Sequence, residues 1–200
     1  MEEIAQTVIE EPPVSPQKLA VLEQAQILFT QQGYAGLSIR DLAEHCGLAK
    51  ATIYHHFRDK ADLFFSVLQH ELTGLHRALM EAVAQEPAPS GKLRAALQEY
   101  DRMLRARRSG MLWGIHEDPE IKAHLAAFFK THEQLLLQPW MQIIEQGQAE
   151  GAFRTADVRL CALSLLAMLN ALVVFQTRVA DSGVHGDVVD HVFTLFVQGI

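Results

Sequence analysis

Between Lys50 and His56 the sequence KATIYHH places a cation, a hydroxyl, a phenol and two imidazoles within seven residues. On a helix, Ile53 and the following Phe57 point one way, while Lys50, Thr52, Tyr54, His55 and His56 point outward. All five can donate to phosphates or base edges. The small Ala49 and Ala51 let a backbone approach duplex DNA, and an alanine methyl can touch a thymine methyl. That chemistry is recognition of nucleic acid, not bond making. The plainer alternative is a short polar helix between two apolar ones, although a merely solvated surface would carry more of a Glu/Lys mixture.

The elements that must hold these residues are legible on either side. Ser38 is an N-cap, with Asp41 three residues on, and the pair opens a helix with Leu42 and Ala43 on its inner face. Gly47, with no Cβ, tolerates the left-handed backbone that ends it. After Leu48 and Ala49 a second short helix runs from Lys50 to about His56. Two short helices joined by a glycine-containing turn make a helix-turn-helix, whose second helix suits the DNA major groove.

From about Ser15 to Leu68 the chain resembles the DNA-binding domain of TetR-family (TetR/AcrR) transcriptional regulators. It has an amphipathic first helix ending in QGY, a Ser-initiated second helix, a Gly-hydrophobic turn, the TIYHHF third helix and a fourth helix opened by Asp59-Lys60. One departure is Ala49, where the family often has serine or another capping residue; its absence costs the third helix a few tenths to about 1 kcal/mol. Arg40, Lys50, Ala51, Thr52 and His55 are expected at base edges. Thr52, Tyr54, His56, Lys60 and Ser38 are expected on phosphates.

Two hundred residues and 49% apolar content suffice for one or two small domains with a buried core. The net charge of −7 argues against nucleic acid, but it is unevenly spread. Residues 15–60 hold five basic and four acidic side chains, net +1, which leaves −8 elsewhere. The acidic remainder would repel DNA and leave one face to dock.

Cys46 and Cys161 read as buried thiols in a reducing cytosol. A metal site on His45 and Cys46 fails because adjacent helix residues point about 100° apart. No other metal-ligand cluster, carboxylate pair, nucleophile motif or phosphate loop is present, so no cofactor and no catalytic residue is expected. The opening MEEIAQTVIEEPP lacks a basic n-region, and residues 1–14 read as a disordered arm. The apolar run from Leu160 to Phe175 is short for a membrane span and is expected to be a helix buried on several sides, so no membrane partner is expected.

The periodicity predicts an all-α fold. A helix-turn-helix domain over 15–62 precedes a helical ligand-binding and dimerisation domain over 63–200. The first helix should run from Pro16 to Gln32, and a long fourth from Lys60 to about Gln85, with Gly74 making room for a neighbour. EPAPSG (86–91) is the clear break after the head. Helices should follow from Lys92 to about Arg108, from Pro119 to about Gln148, from near Asp157 to Ala180, and across the Val188–Phe196 stripe. Arg102, Arg105, Arg107 and Arg108 read as a solvated helix end.

The resemblance implies a homodimer formed through the last two helices, at about 155–180 and 184–198, and a near-palindromic double-stranded operator. It also implies a small hydrophobic or aromatic effector in a cavity of the second domain. Met103, Met111, Trp113, Phe128, Phe129, Leu136, Trp140, Met141 and Phe175 are the bulky candidates for its lining, and His116, His132, Asn170 and Gln176 are the polar anchors. Plain core packing would account for any one of them. The expected function is a cytoplasmic, ligand-responsive, dimeric repressor. The alternatives are an enzyme using His116 or His132 as general base, or a dimeric small-molecule-binding scaffold with no DNA role.

Overall fold

Ser15 caps the first helix by accepting the Lys18 N–H at 3.2 Å, and Pro16 occupies a first-turn position that needs no donor. The computed structural model describes residues 14–106, 119–154, 157–178, 183 and 185–198, and every regular element among them is helical. The proposed arm, Met111, Trp113, His116, Arg107, Arg108 and Ala180 lie outside the described residues, apart from Val14 of the arm.

Helix α1 (Pro16–Gly36) buries Val21, Leu22, Ala25, Leu28 and Phe29. Gly33 breaks it at φ 73°, at the expected place, but the chain makes a further turn to Gly36. Helices α2 (Ile39–Cys46) and α3 (Lys50–His56) follow. Asp59 then opens α4 (Lys60–Ala84) by accepting the Asp62 N–H at 2.8 Å. Helix α5 (Pro89–Ala106) starts earlier than expected, because a proline is tolerated in a first turn that has no partner for its N–H.

The single helix expected from Pro119 to Gln148 is instead two, α6 (Pro119–Thr131) and α7 (Glu133–Ala149). His132 sits between them at φ −101°, ψ 15°. Its ring stacks on Phe128 at 4.1 Å, and its Nδ1 shares the Phe128 carbonyl, at 2.9 Å, with the backbone N–H of His132. Two turns later Pro139 lies inside α7 and has no N–H to give the Leu135 carbonyl. The imidazole of His76, from α4, takes that place at 3.2 Å.

Asp157 caps α8 (Val158–Arg178) and Asp187 caps α9 (Val188–Gln198), with carboxylates 2.8 Å and 3.0 Å from the N–H three residues on. Helix α8 corrects a second expectation. Over Val158–Gln176 its 19 residues are long and apolar enough to cross a membrane, with a mean hydropathy of 2.2, yet only 28% of that window is buried. Leu160 (61%), Leu163 (42%) and Phe175 (51%) stay exposed. The helix packs by one face and offers the other.

The interior forms two clusters. The first joins α1, α2, α3 and the start of α4, closed by Ile121 and Phe128 of α6. The second joins Leu75 and Leu79 of α4 to α5, α7, α8 and α9. Helix α4 contributes to both, so it is the rigid member common to the head and to the rest.

Candidate nucleic-acid interface

The head works by forcing three short helices to share one apolar centre. Ser38 accepts the Asp41 N–H at 3.1 Å, and Gly47, at φ 65°, returns its N–H to the Ala43 and Glu44 carbonyls. Those two ends fix α2. Helix α3 has no side-chain cap at Ala49, as its sequence implies, and is held by Ile53 and Phe57, both buried. Phe29, Tyr34 and Phe64 pack beneath them edge to face and stacked, with centroids 5.2 to 6.1 Å apart. With Ile53 and Phe57 turned in, the α3 side chains between them have to turn out.

Lys50, Ala51, Tyr54 and His55 are exposed on α3, and Thr52 and His56 are half-buried. Lys50 Nζ lies 5.5 Å above the Tyr54 ring, which brings the ammonium and the phenol to one place. Arg40, on α2, is exposed and paired with Glu44 at 3.0 Å. The hydrogen bond and charge of Glu44 raise the already high pKa of its guanidinium. Lys60 is turned toward the first helix, with Nζ 4.6 Å from the Tyr34 ring and 3.3 Å from the Ala35 carbonyl. Ser38 spends its hydroxyl on the cap. Partial burial raises the pKa of the Cys46 thiol, so it stays protonated.

Two residues that the sequence reading passed over stand beside this face. Gln17 Oε1 meets His56 Nε2 at 3.2 Å, and Lys18 Nζ lies 5.5 Å from the Phe57 ring. Both sit in the first turn of α1, where no acidic residue stands. The signal was local and readable: a capped helix start carrying Lys18 and no carboxylate. What could not be read was that this start abuts the end of α3, 39 residues away.

The residues expected to line an effector cavity do not form one group. Phe128 lies in the head cluster with Phe129 packed on it, and His132 stacks on Phe128. Leu136 touches both clusters. Trp140, Met141 and Asn170 belong to the second cluster, as does Met103 at its edge. There the Asn170 amide donates to the Tyr100 hydroxyl at 2.9 Å, and Tyr100 meets Trp140 edge to face. The indole N–H of Trp140 is fully buried and has no partner among the described residues. Phe175 is on the exposed face of α8, and Gln176 is tied at the surface to Arg105 and to the Gly186 carbonyl.

A capped helix, a left-handed glycine and an outward polar helix over a shared apolar centre define a DNA-binding helix-turn-helix regulator. The family model described as bacterial regulatory proteins, tetR family, matches residues 21–67, and the one described as tetracyclin repressor-like, C-terminal domain, matches 86–174. The chain belongs to the tetR family of bacterial transcriptional regulators and is not an enzyme. It is 28% identical over 152 residues to the HTH-type transcriptional repressor KstR2 of Rhodococcus jostii, covering 73% of this chain and 72% of that one. Among solved structures it resembles the TetR-family regulator PfmR of Thermus thermophilus, with TM-score 0.62, 29% identity, and 90% and 98% of the two chains covered. The fold is also that of FadR from Bacillus subtilis, solved with stearoyl-CoA, with TM-score 0.72, 19% identity, and 91% and 98% covered.

Proposed function

We propose that this regulator is a homodimeric repressor that holds a near-palindromic operator and is released when a small, largely apolar effector enters the second domain. The observation that carries the dimer is the outer face of α8. Leu160, Leu163, Ala167, Ala171 and Phe175 recur at helical spacing and are all exposed. An uncovered apolar stripe of that length is unusual on a lone subunit. A second copy, related by a two-fold axis, would cover it and set two heads along one face of a duplex. On this reading residues 15–62 read DNA and residues 63–200 sense and pair.

In the head, Arg40, Lys50, Ala51, Thr52 and His55 reach base edges, and Ser38, Thr52, Tyr54, His56 and Lys60 hold phosphates. Gln17 and Lys18 extend the backbone contacts. The effector part rests on the second cluster, which holds Met103, Trp140, Met141 and Asn170 and in which the buried indole N–H of Trp140 has no acceptor among the described residues. A burial of that kind costs about 1–3 kcal/mol. An apolar ligand with one well-placed oxygen would recover it. The related KstR2 is a repressor, which supports that sign of action.

The test is a pair of titrations on duplexes recovered from genomic fragments, with sedimentation in parallel. Leu163→Arg should turn the dimer into a monomer of unchanged helix content and weaken operator binding at least about ten-fold, because each head then binds alone. A monomeric wild type, or a Leu163→Arg variant that still pairs, would defeat the dimer. Activation of transcription from the recovered sites would defeat repression.

A further inference from the structure

The side chains of Gln17 and Lys18 bring the first turn of α1 against the end of α3, and the first of them decides what His56 can do. Gln17 Oε1 lies 3.2 Å from His56 Nε2. An amide oxygen carries no proton, so the imidazole is the donor, and its neutral form has the proton on Nε2. The other ring nitrogen, Nδ1, has no hydrogen-bond partner among the described residues. The remaining imidazoles of the head are held differently. His45 gives its Nδ1–H to the Asp41 carbonyl on its own helix at 2.7 Å, and His55 makes no hydrogen bond among the described residues.

With Nε2 spent on Gln17, a neutral His56 offers a further group only the Nδ1 lone pair, which a phosphate oxygen repels. The imidazolium offers an Nδ1–H, which a phosphate accepts as a charge-assisted bond. The amide is kept in this orientation by the same partner. With Oε1 on the ring, its N–H2 group is left for the DNA backbone, whereas the reversed amide would set its oxygen against the phosphate.

The surroundings do not neutralise an added proton in advance. His55 neighbours the ring on α3, with centroids 5.3 Å apart, and Lys18 lies over Phe57. At the start of α4 the carboxylate of Asp62 is held by Arg58 and also feels the charge of Lys18. No carboxylate pairs with the His56 ring among the described residues, and the Gln17 amide is uncharged. A phosphate would supply the missing negative charge.

We propose that Gln17 is a positioning residue for His56: it holds the ring with the proton on Nε2, so that His56 binds an operator phosphate only as the imidazolium, and operator binding takes up one proton per head. This rests on the phosphate role given to His56 above.

Operator titrations of the full chain from about pH 6 to about pH 8 test it, because an imidazole ordinarily changes charge in that range. Binding that takes up protons weakens as pH rises. Over the range the wild type should weaken about three- to ten-fold more than Gln17→Met, the share of one hydrogen bond. Methionine has no acceptor for the ring, so a neutral His56 can move its proton to Nδ1 and still donate. His45 and His55 are present in both proteins and cancel. Ring-nitrogen NMR shifts of the free protein at about pH 8, where an ordinary imidazole is neutral, should place the His56 proton on Nε2 in the wild type and on a mixture of both nitrogens in Gln17→Met. The same tautomer in both proteins, or parallel pH profiles while His56→Ala still weakens binding at the acid end, would overturn the part given to Gln17 alone. A His56→Ala variant that binds there as tightly as the wild type would remove the phosphate role, and this inference with it.

Discussion

The head and the second domain solve the same packing problem with different margins. In the head, α1, α2 and α3 each give one apolar face to a common centre, and, Ile27 apart, the exposed side chains are polar or small. In the second domain α8 is apolar on both faces, a proline interrupts α7, and the core keeps an indole N–H with no partner. The head is built to hold one shape against DNA. The second domain leaves apolar surface uncovered and one buried donor unmet among the described residues, and on the proposed reading both serve to bind something else.

The largest expected effect tests whether the two interiors are separate. Phe57→Ala should cost about 3–5 kcal/mol in denaturant unfolding, since Phe57 is fully buried under α3. DNA binding should vanish while the second cluster keeps its own, later transition. A single unchanged transition would mean that α4 fuses the clusters into one cooperative unit.

Next is His76→Leu, which removes the donor that replaces the N–H missing at Pro139. The stranded Leu135 carbonyl should cost about 1–3 kcal/mol, seen in the second transition and not in the first. An equal loss in both would weaken the contrast.

The head's own weak point is Ala49, the helix start without a side-chain cap. Ala49→Ser should gain about 0.5–1 kcal/mol in thermal melting of the head and leave the second domain unchanged.

The smallest effect concerns pH. Partial burial tends to raise the Asp62 carboxyl, but the Arg58 N–H at 2.9 Å and the Arg58 guanidinium outweigh it and hold the pKa below its ordinary 3.8. A lowered folded pKa means that the stabilisation is complete above the ordinary value and is lost as pH falls through the lowered one. Asp62→Asn should therefore cost less than about 1 kcal/mol at neutral pH and flatten the acid end of the stability curve. An unchanged acid limb would show that the pair contributes nothing.

The helices of the head, the Pro16 start of the first, the caps at Ser38 and Asp59, and the glycine bend at Gly47 were legible in the chain, because each depends on residues three or four apart. The outward residues of α3 followed from the same spacing. The break at His132 was not legible, since periodicity alone would continue the helix past a ring that folds back on Phe128. Nor was the role of His76, which lies 59 residues from the carbonyl it serves.

By itself, then, the sequence determined what neighbours along a helix decide: which elements form, where they start, and which faces of the head turn inward. The tertiary structure alone decided which of α8's two apolar faces is covered, that a Cβ at Gly74 would meet no neighbouring helix, and that the start of α1 stands beside the end of α3. The physical reason is range. Caps and helical periodicity act over one turn, whereas burial depends on what distant segments bring to the same place, and a uniformly apolar helix carries no mark of which side that will be.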